Sequence, residues 1–544
     1  MSASVLDKQT ELPCSRFDAL TPARCLLILS ILLSLGFLSN VFYLTQNCPI
    51  DLSGDEAQYW DWSRRLDWCY YSKGPVTALI IRASCAIFGD NMPGVRFPAL
   101  LLGVGTALTT YFLTRRLFKS DRLALGAVLL SAMVPLFIAG SILMTIDAPM
   151  FLAWALATHF AAIALFDPDK PRWPWIAMGL AIGIGGLAKY GALLWLPSLL
   201  TFLLIDPPAR KFLRTPWPWI TVIVALLCLT PCVIWNAQHD WVSFRHVATS
   251  TGASPSSGFR LRPSTIEFLA SQIGVLGPPL FVLMIAAVIF AIRRRDDPNR
   301  RQMLFLASIG LTFFSFNLLD SLFAKTQVNW PAPAYFTLII LTAYFISRAS
   351  WKRWRGWVYA TIIVGIAMMI ISRSETMLMR ILKPVARAVN REGKKPLIDL
   401  ANVDPLERVR GWRMLGDAIT RQRDILGEAE TFILCDDYQQ TAEAAFYTRG
   451  QPRTYCAGPY FGKRLSQYDM WPDRRLNDNP DLDGLDAVYV GKGGSLPKEV
   501  EAAFERTERL KPISIIVAGV EVKSFKLWRC YGFKGFGTLA ARDH

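Results

Sequence analysis

Long apolar runs dominate the hydropathy pattern of this chain. They fall at about 26–45, 97–114, 123–141, 148–166, 174–188, 191–205, 218–235, 268–292, 303–319, 331–347 and 356–372. A hydrocarbon core of roughly 30 Å takes about 20 helical residues to cross, so the pattern predicts about eleven transmembrane helices. One joint is left open: around Ala188-Lys189-Tyr190-Gly191 two short runs form either two spans or one broken helix, which sets the parity of everything beyond. From about 373 the pattern changes. Strand-like runs at Thr431–Cys435, Ala487–Val490 and Ile513–Val517 alternate with polar, helix-compatible segments, which predicts a C-terminal α/β soluble domain. The expected division is an N-terminal tail at 1–24, a polytopic α-helical membrane domain at 25–372 whose first outer loop spans 46–95, and the α/β domain at 373–544.

Composition supports a membrane bundle. Of 544 residues 52% are hydrophobic and 19% charged, below the quarter or so that a soluble chain carries. The net charge of +16 would suit nucleic acid, but membrane proteins concentrate Lys and Arg on cytoplasmic loops, so the charge has to be counted loop by loop. With the N-terminus inside, inner segments hold Arg115, Arg116, Lys119 and Arg122, then Lys170 and Arg172, then Arg210, Lys211 and Arg214. Arg293, Arg294, Arg295, Arg300 and Arg301 follow, and then Arg348, Lys352, Arg353 and Arg355. Outer connections are poorer in such residues, which places the C-terminal domain outside and discounts nucleic acid as a partner. The basic run from Arg373 to Lys395 opposes that orientation, but long domains translocate largely regardless of charge. No cleavage signal follows the first apolar run, which reads as an uncleaved span. The sequence has no CxxC pair, no close histidine spacing, no internal repeat and no phosphate-loop pattern, which disfavours a zinc site and a transport ATPase.

The first outer loop carries the densest chemistry: Asp51-Leu-Ser-Gly-Asp-Glu-Ala-Gln-Tyr-Trp-Asp-Trp62, then Trp68-Cys-Tyr-Tyr-Ser-Lys-Gly-Pro75. Ser53 and Glu56 have capping-box spacing, so a helix is expected to start there with Asp55 in its first turn and Asp55, Tyr59 and Trp62 on one face. Glu56 then serves the helix start, and Asp55, near the positive end of the helix dipole, is the better catalytic candidate. The competing reading makes Asp55 a plain first-turn acid, the aromatic residues an interfacial belt and Lys73 a snorkelling lysine.

Further polar residues fall at the outer ends of spans: Asp147, Lys189, the Trp235–His239 run, Lys325 and Asn329. An acid between two apolar helices needs a partner or a wet cavity, which makes Asp147 a functional candidate, with an N-cap ahead of Pro149 as its rival reading. His239 and His246 suit loop histidines as well as ligands. The candidates are therefore Asp55 and Asp147 as catalytic groups, and Glu56, Tyr59, Tyr71, Lys73, Lys189, His239, Lys325 and Asn329 as substrate-binding groups. Cysteines in an oxidising compartment could pair, either within Cys435, Cys456 and Cys530 or as Cys48 with Cys69, and free buried thiols are the alternative.

The motifs Gly54-Asp-Glu-Ala-Gln-Tyr-Trp-Asp-Trp-Ser63, Tyr70-Tyr-Ser-Lys-Gly-Pro75, Thr145-Ile-Asp-Ala-Pro149 and Val328-Asn-Trp-Pro-Ala-Pro-Ala-Tyr335 are similar to those of bacterial family 39 glycosyltransferases. These are related to protein O-mannosyltransferases and, more distantly, to the aminoarabinose transferase acting on lipid A. The resemblance covers about residues 25–350. It implies the membrane fold called GT-C, a polyprenyl-phosphate-linked sugar donor, transfer with inversion, and an inner-membrane location with the α/β domain periplasmic. By that likeness Asp55 matches the first-loop catalytic acid, and Asp147 a second acidic position. Ser72 stands where relatives of the lipid A enzyme carry a glutamate that helps hold a metal, so no cofactor is assigned and a divalent metal lacks one expected ligand. The acceptor, whether lipid, glycan or protein, is not specified. A flippase or transporter of a lipid-linked sugar, or a noncatalytic scaffold, are the rival classes; a transporter would distribute its charges through the membrane depth rather than at one face.

Overall fold

The computed structural model describes residues 20–46, 48–250, 263–374, 376–389 and 406–537. Most of the N-terminal tail and the basic stretch 390–395 lie outside the described residues. The chain begins with α1 (Pro22–Thr45), then passes through the first loop with α2 (Gly54–Ser63) and α3 (Val76–Phe88) before α4 (Met92–Phe118). Next come α5 (Asp121–Ala132), α6 (Pro135–Gly140), α7 (Asp147–Phe166), α8 (Trp173–Ala188) and α9 (Trp195–Ile205). Helices at Trp217–Gln238, Pro263–Leu276, Pro278–Arg293, Arg300–Asp320, Ala332–Arg348 and Trp351–Ser372 complete the apolar portion.

By length and hydropathy, six described helices suffice to cross a membrane, and up to eight if each bent pair counts as one span; α3, α8 and Ala332–Arg348 are shorter apolar helices. Each of the eleven predicted runs has a helical counterpart, but not each is one straight helix. The 123–141 run breaks between α5 and α6, where Pro135 at the start of α6 has no N–H to continue the ladder. The 268–292 run is two helices bent by 103°, with Gly277 at φ +80° as the hinge and Pro278 opening the second helix.

Contacts between helix ends resolve the open parity. At one end of the bundle Arg116 of α4 pairs with Asp167 after α7, Arg301 pairs with Asp206 after α9 at 2.7 Å, and Arg122 donates to the Leu20 carbonyl before α1 at 2.9 Å. At the other end Lys189 after α8 pairs with Asp147 at the start of α7, and Arg373 stacks 4.7 Å from Tyr43 of α1. The chain therefore reverses at Lys189, and α8 and α9 are two passes. The end rich in arginine lies opposite the end that bears the first loop.

The C-terminal unit docks on the first-loop end. Its sheet has the order β2-β1-β3-β6-β4, with β5 on β6. β1 (Thr431–Cys435), β2 (Thr454–Cys456) and β3 (Asp486–Gly491) run parallel, while β4 (Phe504–Arg509), β5 (Ile513–Val517) and β6 (Val520–Phe533) are antiparallel additions. Every residue of β1 is buried, because alternate side chains feed two cores: Phe432 and Leu434 join Tyr489 and Trp528 on one face, Ile433 and Cys435 join Ile419 and Phe525 on the other. The predicted strands at β1, β3 and β5 are present. β2, β4 and β6 add to them.

First loop and C-terminal unit share a core in which Trp60, Trp62 and Tyr70 meet Ala442, Ala445, Phe446, Tyr468 and Trp471. Trp60 meets Phe446 edge-on at 4.8 Å. Polar bonds fix the register of the dock: the Leu52 N–H donates to Tyr447 Oη at 2.7 Å, the Trp412 N–H to Asp51 at 2.8 Å, and the Tyr468 hydroxyl to Asp61 at 2.8 Å. Neither expected cysteine pairing forms, and all nine described cysteines are free. Cys48 lies against Arg96 and the Ile50 carbonyl, whereas Cys69 faces Cys232. Cys435 and Cys456 are neighbours on β1 and β2, but belong to different cores.

The start of α2 rests on a buried ion pair. Glu56 and Arg96 have fully buried side chains and bond twice, both at 2.9 Å. Glu56 also accepts from the Ser53 N–H at 2.9 Å in the predicted capping box and from the Met144 N–H at 2.9 Å. Removing one partner of a buried pair leaves the other charge stranded, at a cost of about 3–5 kcal/mol. Glu56→Ala is therefore expected to lower the unfolding midpoint of purified protein sharply and to reduce the amount recovered from membranes. A variant with wild-type stability would show that the pair does not hold the loop.

Candidate functional site

α2 presents Asp55 one residue from the buried Glu56, and the capping box fixes which way it faces. Asp55 Oδ1 accepts from Gln439 Nε2 of the C-terminal unit at 3.2 Å. That approach depends on Gly54, since a Cβ there would lie 2.6 Å from Gln439 Cβ. Tyr59, one turn on, is buried; burial raises its hydroxyl pKa well above the usual value, followed by the charges of Asp55 and Asp147. Tyr59 and Lys73 each feel both carboxylates, which places the two acids around one space.

Lys73 is brought in by a turn that a larger residue would block: a Cβ on Gly74 would lie 2.2 Å from the Leu187 carbonyl oxygen at the end of α8. Burial lowers its ammonium pKa to about 8, and the nearby Lys189 lowers it further while Asp55 opposes the shift. Lys189 pairs with Asp147 at 2.6 Å, and Asn329 donates to the other Asp147 oxygen at 3.0 Å. Asp147 is the first residue of α7 and does not cap it; its carboxylate goes to the lysine and the asparagine.

A cavity of about 320 Å³ opens beside these groups. Lys73, Lys189, His246 and Asp320 supply its polar wall, and Met150, Phe313 and Trp330 are among its apolar lining. Its lining combines Lys73, Lys189 and the acid Asp320 with a larger share of hydrocarbon, which suits an anionic group attached to an apolar chain.

Of the ten sequence-derived candidates, Lys73 and Lys189 line the cavity, Asp147 bonds to Lys189 and Asn329 to Asp147, and Asp55 and Tyr59 adjoin this group through the charges that act on Lys73 and on the Tyr59 hydroxyl. Tyr71 borders them: its N–H donates to Gln467 at 2.6 Å, and its ring lies 5.3 Å from that of His246. Three candidates fall elsewhere. Glu56 is wholly occupied by Ser53, Arg96 and Met144, so its lone pairs serve the fold. His239 stacks flat on Trp235 at 4.0 Å, with Nδ1 2.8 Å from the Trp235 carbonyl oxygen, and does not line the cavity. Lys325 shares the same end of the bundle but is exposed and likewise absent from the lining.

The sequence reading weighed His246 without placing it among the candidates, and it missed Arg464. Burial, with Arg464 and Lys73 adding to it, lowers the His246 pKa to about 3, so the ring is neutral and can accept from Arg464 Nη1, 3.4 Å from Nε2. Arg464 belongs to the C-terminal unit and lies 4.5 Å from the ring of Tyr438 and 5.9 Å from that of Tyr71. Its basic side chain in a polar loop carries no signal of its own; only docking brings it to Lys73. Among the described residues no three His, Cys, Asp or Glu side chains group to hold a metal. With Lys73, Lys189 and Arg464 around the space, the donor set does not fit a divalent ion.

A family model described as dolichyl-phosphate-mannose-protein mannosyltransferase matches residues 72–235. The lipid A galacturonosyltransferase of Rhizobium johnstonii is 31% identical over 320 residues, covering 58% of this chain and 65% of that protein. The undecaprenyl phosphate-α-4-amino-4-deoxy-L-arabinose arabinosyl transferase of Pseudomonas aeruginosa is 31% identical over 214 residues, 35% of this chain and 38% of that protein. The matched region thus spans less than two thirds of either relative. Among solved structures, ArnT from Cupriavidus metallidurans bound to undecaprenyl phosphate superposes with a TM-score of 0.61 at 16% identity, over 92% of this chain and 97% of that one. The apo form gives 0.60 at 15% identity. The resemblance read from the loop motifs holds, and the chain shares the fold of ArnT over 92% of its length, the C-terminal sheet included.

Proposed function

We propose that this chain is a membrane glycosyltransferase that moves a sugar from a polyprenyl-phosphate donor to an acceptor on the periplasmic side of the inner membrane, with inversion. The observation that carries the reading is the placing of Lys73 and Lys189 on the lining of a largely apolar cleft, with Asp147 bonded to Lys189 and with Asp55 and Arg464 close enough for their charges to act on Lys73. The relatives' printed names supply a lipid-phosphate-linked sugar as donor and lipid A as one acceptor, and a glycolipid acceptor is the reading they favour. Residues 25–372 form the catalytic domain in this proposal, and 373–544 the periplasmic domain that completes the site. The arginine-rich opposite end of the bundle supports the orientation. All of the polar candidates stand at one face, which favours transfer over transport.

In the proposed reaction an acceptor hydroxyl oxygen attacks the anomeric carbon from the face opposite the phosphate. The bond from that carbon to the phosphate oxygen breaks, and the lipid phosphate leaves with an added negative charge. Lys73 and Arg464 take up that charge, with Lys189 held in place by Asp147 and Asn329; groups already aimed at developing charge need no reorganisation in the transition state. Asp55, whose Oδ1 is steadied by Gln439, receives the acceptor proton. Tyr59 and Tyr71 shape the sugar side of the cleft.

Asp55→Asn is expected to lower kcat by about 10²- to 10⁴-fold with normal membrane insertion, measured as release of sugar from radiolabelled polyprenyl-phosphate donor. Near-normal turnover removes Asp55 from the mechanism, and a protein that consumes no donor under any condition removes the transferase reading. The low pKa of Lys73 makes a second prediction. Its cation is present below about pH 8 and is lost as pH rises through that value, so kcat/KM should fall above about pH 8. In Lys73→Arg that limb should move to higher pH, because guanidinium stays charged; an unmoved limb excludes Lys73 as its origin.

A further inference from the structure

Cys69 sits in the first loop four residues before Lys73, and Cys232 in the outer half of the Trp217–Gln238 helix. Both are fully buried at 0% exposure. They lie together in a small cluster with Trp235, Leu187 and Met470, and Asn236 Nδ2 donates both to Cys69 Sγ and to the Cys232 carbonyl. Cys232 Sγ lies 3.3 Å from the Trp68 carbonyl oxygen. Around Cys69 Sγ stand the Tyr190 hydroxyl at 3.2 Å, Asn236 Nδ2 donating at 3.6 Å, and Ser243 Oγ at 3.6 Å. Two thiols brought together from distant segments in one buried cluster are the arrangement from which a disulfide closes.

We propose that Cys69 and Cys232 are joined by a disulfide in the mature protein, tying the first loop to the Trp217–Gln238 helix and fixing the turn that carries Lys73. This rests on the periplasmic placement of the loop, since such bonds persist in oxidising compartments. The oxidant is a second disulfide, of a thiol oxidoreductase or a small molecule. The Cys69 thiolate attacks one of its sulfurs, breaking that S–S bond and releasing one thiolate. Deprotonated Cys232 then attacks the Cys69 sulfur of the mixed disulfide and displaces the other. The two cysteines lose two electrons and two protons, and the oxidant ends as two thiols. Because both sulfurs are shielded in the folded chain, the exchange takes place before the Trp68–Lys73 segment is fully seated.

The full chain in native membranes is lysed into denaturant with N-ethylmaleimide and digested without reductant. The expected result is a mass-spectrometric peptide pair linked through Cys69 and Cys232, absent from Cys69→Ser and Cys232→Ser, each of which leaves the other thiol alkylated. Dithiothreitol should lower the unfolding midpoint of the wild type and leave that of the double serine variant unchanged. Recovery of both wild-type cysteines as alkylated thiols overturns the proposal, and a wild-type midpoint indifferent to reductant overturns the clamp. A membrane-impermeant maleimide on Lys325→Cys in spheroplasts separates the causes. Labelling of intact spheroplasts with both thiols free sinks the disulfide alone, and labelling only after lysis sinks the periplasmic placement and the disulfide with it.

Discussion

The Glu56–Arg96 pair is the constraint on which the geometry of the proposed active site depends. Taking two charges wholly out of water is costly, and here the surroundings offset it. Arg96 also donates to the Ile50 carbonyl at 3.2 Å and the Asp51 carbonyl at 2.7 Å, while Glu56 is shared with Ser53 and Met144. Four stretches of chain, namely the end of the 48–52 segment, the start of α2, the start of α4 and the approach to α7, are bound to one another at this point. Asp55 and Asp147 belong to two of those stretches. The distance between the two acids follows from a contact in which neither takes part.

On that frame the C-terminal unit closes one side. It contributes the Asp55 partner Gln439, the cation Arg464 and the ring of Tyr438, and it is held by apolar burial shared with Trp60 and Trp62. One feature of the dock is uncompensated. Glu443 is fully buried and neither carboxylate oxygen has a hydrogen-bond partner, so burial raises its pKa well above the usual range. Its charged neighbours Asp51 and Glu56 push in the same direction, and Lys523 and Arg96 oppose them.

How much of this was legible depended on whether the signal was local. Apolar runs located the helices because the period of burial is written in consecutive residues, and Ser53 with Glu56 located the start of α2 because a capping box is complete within four positions. Asp147 and Lys189 were legible as an unmet need: an acid at the end of an apolar helix requires a partner, and the lysine at the next outer turn is that partner. Breaks inside the 123–141 and 268–292 runs were not, since Pro135 and Pro278 are apolar and leave hydropathy untouched. Strand β6 escaped because its burial alternates through Lys523, Lys526 and Arg529, whose stems cover the sheet while their heads stay polar. Arg464 escaped, and His246 stayed outside the candidates, because their meeting depends on docking between distant segments. His239 drew attention through its place near a helix end, where it only covers Trp235.

The contact from Gln439 to Asp55 joins positions 384 residues apart, and the family match stops at residue 235, well short of the sheet. The two halves of the proposed centre are therefore free to change at different tempos. In the proposed reaction the membrane half holds the lipid phosphate, whereas the sheet half need supply only one helix face and a few side chains at its rim. Exchanging the rest of that half is a route by which such an architecture could acquire a new recipient for its sugar while leaving the carrier lipid untouched.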